Sequence, residues 1–245
     1  MRPEIRKLLR HFHLEEFARG VLGSARRASG RFAMSMGGDG KAVAAYFRAN
    51  DVLKLHIGCG VHVLEGWLNT DFVRSREVLY LDATRPFPFG DSRFDYVYSE
   101  HMIEHITFPQ GQHLLKECSR VLKPRGKIRV ATPDLMFLFD LCRGGRSTVQ
   151  RDYIEWSSQH FVPEAPFPSE AFVINNFFRD WGHRFIYNET VLRASMEAAG
   201  FVDIHRCDLN ASDDVQLRNL EHEGRMPGGF LKLETFVLEG TKPGP

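Results

Sequence analysis

Residues 53–60, LKLHIGCG, constrain the fold of this chain more than any other stretch. An apolar run rich in strand formers stops at Gly-Cys-Gly, the pattern of a buried parallel strand ending in a loop where a ligand meets the backbone. A Cβ at Gly58 or Gly60 would block a ribose or a charged amino-acid end, and the free N–H groups of such a loop can point at the ligand. Gly-x-Gly alone also serves any tight strand-to-helix turn, so the neighbours must decide. Val63 stands where a dinucleotide GxGxxG needs its third glycine, which disfavours a dehydrogenase.

Beyond that loop, short apolar runs alternate with helical or loop crossovers. WLNTD at 67–71 and VLYLD at 78–82 are strands that each end in an acid. FDYVY at 94–98 precedes a helix expected from about Glu100, and KIRVAT at 127–132 follows the turn Lys-Pro-Arg-Gly. This order predicts an α/β fold, a mostly parallel sheet with helices on both faces. Ligands of such sheets bind at the carboxyl ends of the strands. Gly58, Gly60, Asp71 and Asp82 all fall at strand ends, and together they suit a nucleoside. The glycines would face its polar tail, Asp71 would accept from both ribose hydroxyls, and Asp82 from an adenine amino group. Taken singly, each acid could equally cap a helix or sit in a solvated loop.

With 245 residues, 43% of them hydrophobic and 26% charged, the chain can bury one main core. Its formal net charge of +1 gives no global argument for a nucleic-acid partner, and none is expected. Cys59, Cys118, Cys142 and Cys207 lie far apart without a CxxC pair, which fits neither a disulfide framework nor a zinc ribbon and points to a reducing, cytoplasmic setting. No run reaches the length of a membrane span, and the beginning lacks a signal-peptide core. Residues 1–50 read as a helical extension and linker. Ile5, Leu8, Leu9, Phe12, Leu14, Phe17 and Val21 recur at helical spacing among basic residues. Membrane-surface contact through residues 1–28 is less favoured than a helix covering one flank of the core, because Glu4, Glu15 and Glu16 dilute the basic face. The glycine-rich stretch at 29–42 reads as a flexible connection, with a short helix near 43–47.

The ordered set HIGCG at 56–60, NTD at 69–71, LDATRPFPFGDSRFDYVYSEHMIEHI at 81–106 and ECSRVLKPRGKIRVATPD at 117–134 resembles the class I S-adenosylmethionine-dependent methyltransferases. It is nearest to their type 11 branch, often associated with small molecules and saccharides, and the resemblance covers about residues 50–240. It implies a Rossmann-like seven-stranded sheet of order 3-2-1-4-5-7-6 with the last strand antiparallel, in a domain spanning residues 51–240. It also implies S-adenosylmethionine as cofactor, held by Gly58, Cys59, Gly60, Asp71, Phe72, Asp82, Ala83, Ser99 and Glu100. The chain departs from the pattern between Gly60 and Asp71, a spacing too short for a full helix, so VHVLEGW is expected to be a loop.

HMIEH at 101–105 has the H-x-x-E-H form of inverted zinc peptidases, in which His101 and His105 would share one helix face. Its place directly after a strand of a nucleoside-binding pattern disfavours a zinc hydrolase, and no metal is expected. The family's helix after its fourth strand often reads LEH. Residues 143–187 form an aromatic- and proline-rich insertion, the usual form of a lid or binding segment. Within it, RDWGHRFIY at 179–187 resembles a GHR-aromatic stretch of the nearest branch. Arg179, Trp181, His183, Arg184 and Tyr187 would stack on a ring and read its hydroxyls, or else pack a satellite core. A helix at 188–200, strands at 201–208 and 230–240, and a mobile polar stretch at 210–229 complete the expectation.

The chemistry would be in-line attack of an acceptor atom on the sulfonium methyl. A hydroxyl acceptor gains from a base near neutral pKa, with His105 first, His183 next and His101 third. The expected activity is methyl transfer to a small molecule, with a sugar or glycan hydroxyl suggested by the family branch. The alternative from another class is a cofactor-binding scaffold without transferase activity. The acceptor atom and the oligomeric state stay open.

Overall fold

The computed structural model describes residues 38–245, so the amphipathic stretch at 1–28 lies outside the described residues. Its frame is a seven-stranded sheet built from β1 (Lys54–Ile57), β2 (Leu68–Asp71), β3 (Leu79–Tyr80), β4 (Phe94–Glu100), β5 (Leu122–Pro133), β6 (Val202–Cys207) and β7 (Thr235–Thr241). The spatial order is β3-β2-β1-β4-β5-β7-β6. Neighbours from β3 to β5 run parallel, and β7 pairs antiparallel with both β5 and β6. This is the Rossmann-like class I methyltransferase arrangement.

Strand side chains alternate between faces, and β4 and β5 show what each face buries. Val97, Ile128 and Val130 enter the main core with Leu55, Ile57 and Phe94, closed by α2 (Phe108–Val121) and α6 (Glu189–Ala198) through Leu114, Leu115, Val121, Leu192 and Met196. Helix α1 (Gly38–Ala49) adds Val43, Tyr46 and Phe47 to this core, and the Tyr46 hydroxyl donates to the Lys54 carbonyl. Tyr98 and Arg129 point to the other face. There Tyr98 joins Trp67, Leu217 and Leu220 in a smaller cluster. Arg129 is fully buried and donates to Glu221 at 2.7 and 2.9 Å, to Glu239 at 2.5 Å and to the Ala211 carbonyl at 2.8 Å. The stretch at 210–229, expected to be mobile, is thereby tied to the sheet and carries two short 3-10 turns, Val215–Leu217 and Glu223–Arg225.

A second core sits beyond the carboxyl end of β5. It joins α3 (Leu135–Leu141), α4 (Thr148–Phe161) and α5 (Glu170–Arg179) through Phe137, Leu138, Leu141, Tyr153, Ile154, Val173 and Phe177. Local capping explains why residues 143–187 fold into helices. Ser147 and Gln150 form a capping box at α4, Ser169 caps α5, and Asp134 caps α3 by accepting from the Met136 N–H.

Three local expectations change. Residues 58–67 are a loop, as the spacing from Gly60 to Asp71 indicated, but the glycine-rich connection is helical from Gly38. No helix starts at Glu100: β4 runs through Glu100, Ile103–His105 form a 3-10 turn, and α2 begins at Phe108 behind Thr107, whose capping box with Gln110 and adjacent Pro109 fix the start there. Residues 230–240 do not form one strand. Gly229, at φ +86°, starts a helical turn, α7 (Phe230–Glu234), before β7. No helix among the described residues is long and apolar enough to cross a membrane.

Candidate active site

The carboxyl ends of β1, β2 and β4 open onto a cleft of about 610 Å³. Gly58, Asp71, Phe72, Asp82 and Ala83 line it, together with Met102, His105, Thr107 and Arg184. The glycine loop is held from below. Both Gly58 and Cys59 N–H groups donate to the Thr70 carbonyl, at 2.9 and 3.0 Å, which ties the end of β1 to β2. Gly58 has φ +70°, and a Cβ there would stand 2.2 Å from Met102 Cγ and 2.7 Å from Met102 Cβ. Glycine is required by conformation and by space alike.

Asp71 is positioned by its neighbours and keeps accepting capacity. Its Oδ2 accepts from the Gly60 N–H at 2.9 Å and its Oδ1 from the Val73 N–H at 2.8 Å, and a carboxylate offers about four lone-pair sites. Asp82 Oδ1 accepts from the Thr84 N–H and hydroxyl at 3.0 and 2.6 Å, and Arg85 Nε lies 3.4 Å from Oδ2. These partners hold both carboxylates in the lining of the cleft.

Four of the expected cofactor residues do not line the cleft: Cys59, Gly60, Ser99 and Glu100. Cys59 is buried, and desolvation pushes its thiol up to about 12. The Gly60 N–H is spent on Asp71 Oδ2. Ser99 is buried with its Oγ unpartnered. Glu100 turns to the face occupied by residues 208–226, where it accepts from the His222 N–H at 3.1 Å and meets Arg225 at 3.5 Å and His62 at 3.6 Å. Burial raises its pKa.

A second cavity, of about 290 Å³, lies beside the cleft. Tyr153, Trp156, Phe161, Phe177 and Trp181 form its aromatic walls, and His101, His105, His183, Arg225 and Glu234 supply polar groups. His105 lines both spaces. Backbone pairing brings these parts together. The Glu104 carbonyl accepts from the N–H groups of Arg184 and Phe185 at 2.7 and 3.2 Å, so the segment carrying His183 is stitched to the turn carrying His105. The two imidazole centroids are 5.0 Å apart.

The histidines differ in freedom. His101, at φ +47°, turns the chain out of β4; its Nε2 is 2.7 Å from Thr235 Oγ1, and its Nδ1 is 3.5 Å from Glu104. Such strain in a non-glycine residue is typical of functional sites. His101 and His105 therefore do not share an α-helical face. His183 Nδ1 lies 2.7 Å from the Phe177 carbonyl, an acceptor only, so that nitrogen carries the proton and Nε2 keeps its lone pair. Desolvation, reinforced by His105, lowers the His183 pKa to about 4. Desolvation also lowers that of His105, opposed by the Gly182 backbone.

Two acids complete the site, and both escaped the sequence reading. Glu104 is fully buried, accepts from the Thr132 hydroxyl at 3.0 Å through Oε2, and leaves Oε1 without a hydrogen bond. Burial pushes its pKa up to about 8. Glu234 accepts a short hydrogen bond from the Tyr153 hydroxyl, and burial raises it to about 7. Glu104 lay in plain view inside HMIEH. Glu234 sat in a stretch read as strand, and nothing in its spacing marked it. Arg225 and Met226 come from the stretch expected to be mobile.

Of the residues expected to touch substrate, Trp181 and His183 line the aromatic cavity and Arg184 lines the larger cleft. Arg179 is exposed at the end of α5 and lines neither. Tyr187 is fully buried in the main core against Gly111, where a Cβ would meet its hydroxyl at 2.4 Å.

The family described as methyltransferase domain matches residues 67–130. No curated protein sequence matches. Solved structures similar to the chain include an S-adenosylmethionine-dependent methyltransferase from Archaeoglobus fulgidus (15% identity, 89% of this chain and 94% of that one, TM-score 0.49). A possible histamine N-methyltransferase from Thermotoga maritima shows 17% identity over 96% of this chain and 99% of that one, with a TM-score of 0.42. Phosphoethanolamine N-methyltransferase 2 of Haemonchus contortus, solved with S-adenosylmethionine, shows 16% identity over 78% of this chain and a TM-score of 0.42; the chain covers 49% of that enzyme's length. The sheet has the class I methyltransferase order, and residues 67–130 match a methyltransferase domain.

Proposed function

We propose that this chain transfers the methyl group of S-adenosylmethionine to a small molecule seated in the aromatic cavity, with a sugar or glycan hydroxyl as the acceptor. The observation that carries the reading is that His105 lines both the cleft and the cavity, so a ligand in each would meet there. The cofactor would lie along Gly58, Phe72 and Ala83, with its ribose on Asp71 and its adenine toward Asp82. Rings such as Trp156 and Trp181 can stack on the apolar face of a sugar, while Glu234, Arg225 and His183 read hydroxyls at its edge. In this reading residues 51–240 form the catalytic domain, the insertion at 143–187 supplies the acceptor side, and residues 1–50 are an extension.

The sulfonium is an activated donor, so most of the rate comes from holding acceptor and methyl in line at about 3–3.5 Å. A hydroxyl also has to lose its proton, and His105, which lines both spaces, is the first base for it, with His183 beside it. His101, enclosed by Thr235 and Glu104, positions its neighbours instead. The test is methyl uptake from labelled S-adenosylmethionine over panels of saccharide, phenol and amine acceptors. Saccharide methylation, reduced by roughly 100-fold or more in His105→Ala with cofactor affinity nearly unchanged, is the expected result. Cofactor binding without uptake by any acceptor would favour a binding scaffold, and uptake by amines alone would refute the hydroxyl assignment.

A further inference from the structure

We propose that Glu104, His105 and His183 form a divalent-cation site at the junction of the two cavities, of the zinc-binding class, with open positions for an acceptor oxygen. One ligand atom from each of the three residues falls within 4.8 Å of the others. Zinc bonds nitrogen and oxygen at about 2.0–2.2 Å, which puts neighbouring ligand atoms about 3.3 Å apart, so closure on a cation needs side-chain shifts of the order of 1 Å. His105 Nε2 and Glu104 Oε1 already stand 3.9 Å apart.

Three features separate this group from a chance cluster. The first is Glu104 Oε1, a carboxyl oxygen fully buried and without a hydrogen bond, removed from water with no partner in its place. His101 Nδ1, at 3.5 Å, does not satisfy it, and Arg225, paired with Glu100 at 3.5 Å, reaches Glu104 only as a through-space charge. The second is the tautomer of His183: its Nδ1–H is spent on the Phe177 carbonyl, the outer-shell contact that orients a ligating imidazole and frees Nε2. The third is the donor set. Two imidazoles and one carboxylate suit zinc and its neighbours, and three protein ligands leave room for substrate, as in catalytic zinc sites. The other compact group, His205, Cys207 and Glu239, lacks the first feature, because Glu239 already accepts from Arg129 at 2.5 Å and Ser212 at 3.0 Å.

The catalytic consequence rests on the proposed function, while cation binding does not. With a cation bound, His105 and His183 would hold it instead of taking the proton; a hydroxyl coordinated there would release its proton to solvent, and the oxygen would form its bond to the methyl carbon as the carbon–sulfur bond breaks. The sulfonium leaves as a neutral thioether.

The test uses the full chain stripped with chelator and titrated with Co2+ and with Zn2+, with S-adenosylmethionine titrated separately in the same samples. One Co2+ per chain should bind with visible d–d absorption, no near-ultraviolet thiolate band, and displacement by Zn2+. His183→Ala and the isosteric Glu104→Gln should each weaken Zn2+ binding at least 10-fold, and His205→Ala should leave it unchanged. A thiolate band, equal affinity in His183→Ala, or no stoichiometric binding by the unaltered chain would overturn the assignment. The spectrum of the unaltered chain decides even where a variant fails to fold. Loss of cofactor binding in that chain would sink the proposed function instead, leaving the cation result to stand by itself.

Discussion

Replacing Gly58 by alanine is the perturbation whose cost can be worked most closely from the geometry. The backbone at φ +70° charges any L-residue about 1–2 kcal/mol for left-handed conformation. The added methyl would then lie 2.2 Å from Met102 Cγ and 2.7 Å from Met102 Cβ, against a normal carbon contact of about 3.5–4.0 Å. Rotation about χ1 moves Cγ away but leaves Cβ in place. Relief therefore requires backbone movement at the end of β1 or in the turn after β4, which puts this substitution among overpacking changes costing about 1–3 kcal/mol. The sum is about 2–5 kcal/mol, or a fall of roughly 4–20 °C in Tm for a chain of this size. Gly60→Ala is the internal control, since φ is +54° and nothing lies within 4 Å of the added methyl. It should cost only the backbone share. Urea melts of both variants, read by far-ultraviolet circular dichroism, measure the difference, expected at about 1–3 kcal/mol. Equal losses would show that Met102 does not press on the glycine loop and would refute the packing account of this corner.

Other consequences follow from the same contacts. Arg129→Met should cost about 3–5 kcal/mol by denaturant melt, because it strands buried Glu221 and Glu239 without their counter-charge; a loss under about 1 kcal/mol would mean that residues 208–226 are held by something else. Trp181→Ala should raise the acceptor KM roughly 3- to 10-fold at steady kcat, and a change in cofactor affinity instead would place Trp181 on the wrong side of the junction. The pKa of Glu117 is held down by the Arg120 hydrogen bond, aided by the Phe87 N–H. Its stabilisation is therefore present above the ordinary carboxylate pKa of about 4.3 and is lost as pH falls through the lower folded value. Glu117→Gln should flatten the acid limb of the stability profile; an unchanged limb would assign acid sensitivity to other carboxylates.

The strands were legible because they stand as short apolar runs with glycine or acid where several of them end, whereas their order in the sheet came from the resemblance to class I methyltransferases. Asp71, Asp82 and Gly58 each stand at such an end, and the cleft gathers them. The helix expected from Glu100 illustrates the limit of local reading. SEHMIEHI has helical spacing, yet β4 continues through Glu100 because Ser99 and Glu100 pair with Val130 and Ala131 of a strand far along the chain. The aromatic cavity was still less readable. Tyr153, Trp181, Arg225 and Glu234 come from four segments, and only the fold decides that they meet. Tyr187 shows the converse, an aromatic in a suggestive stretch that fills a notch over Gly111 in the core.

Calorimetric titration of S-adenosylmethionine and S-adenosylhomocysteine into the full chain and its Asp71→Ala variant tests the central claim most directly. The account predicts micromolar, one-to-one binding of both ligands and a loss of about 1.5–3 kcal/mol in the variant, roughly 10- to 150-fold in Kd. No binding to the unaltered chain, or equal affinity in the variant, would contradict the placement of the cofactor at the ends of β1 and β2.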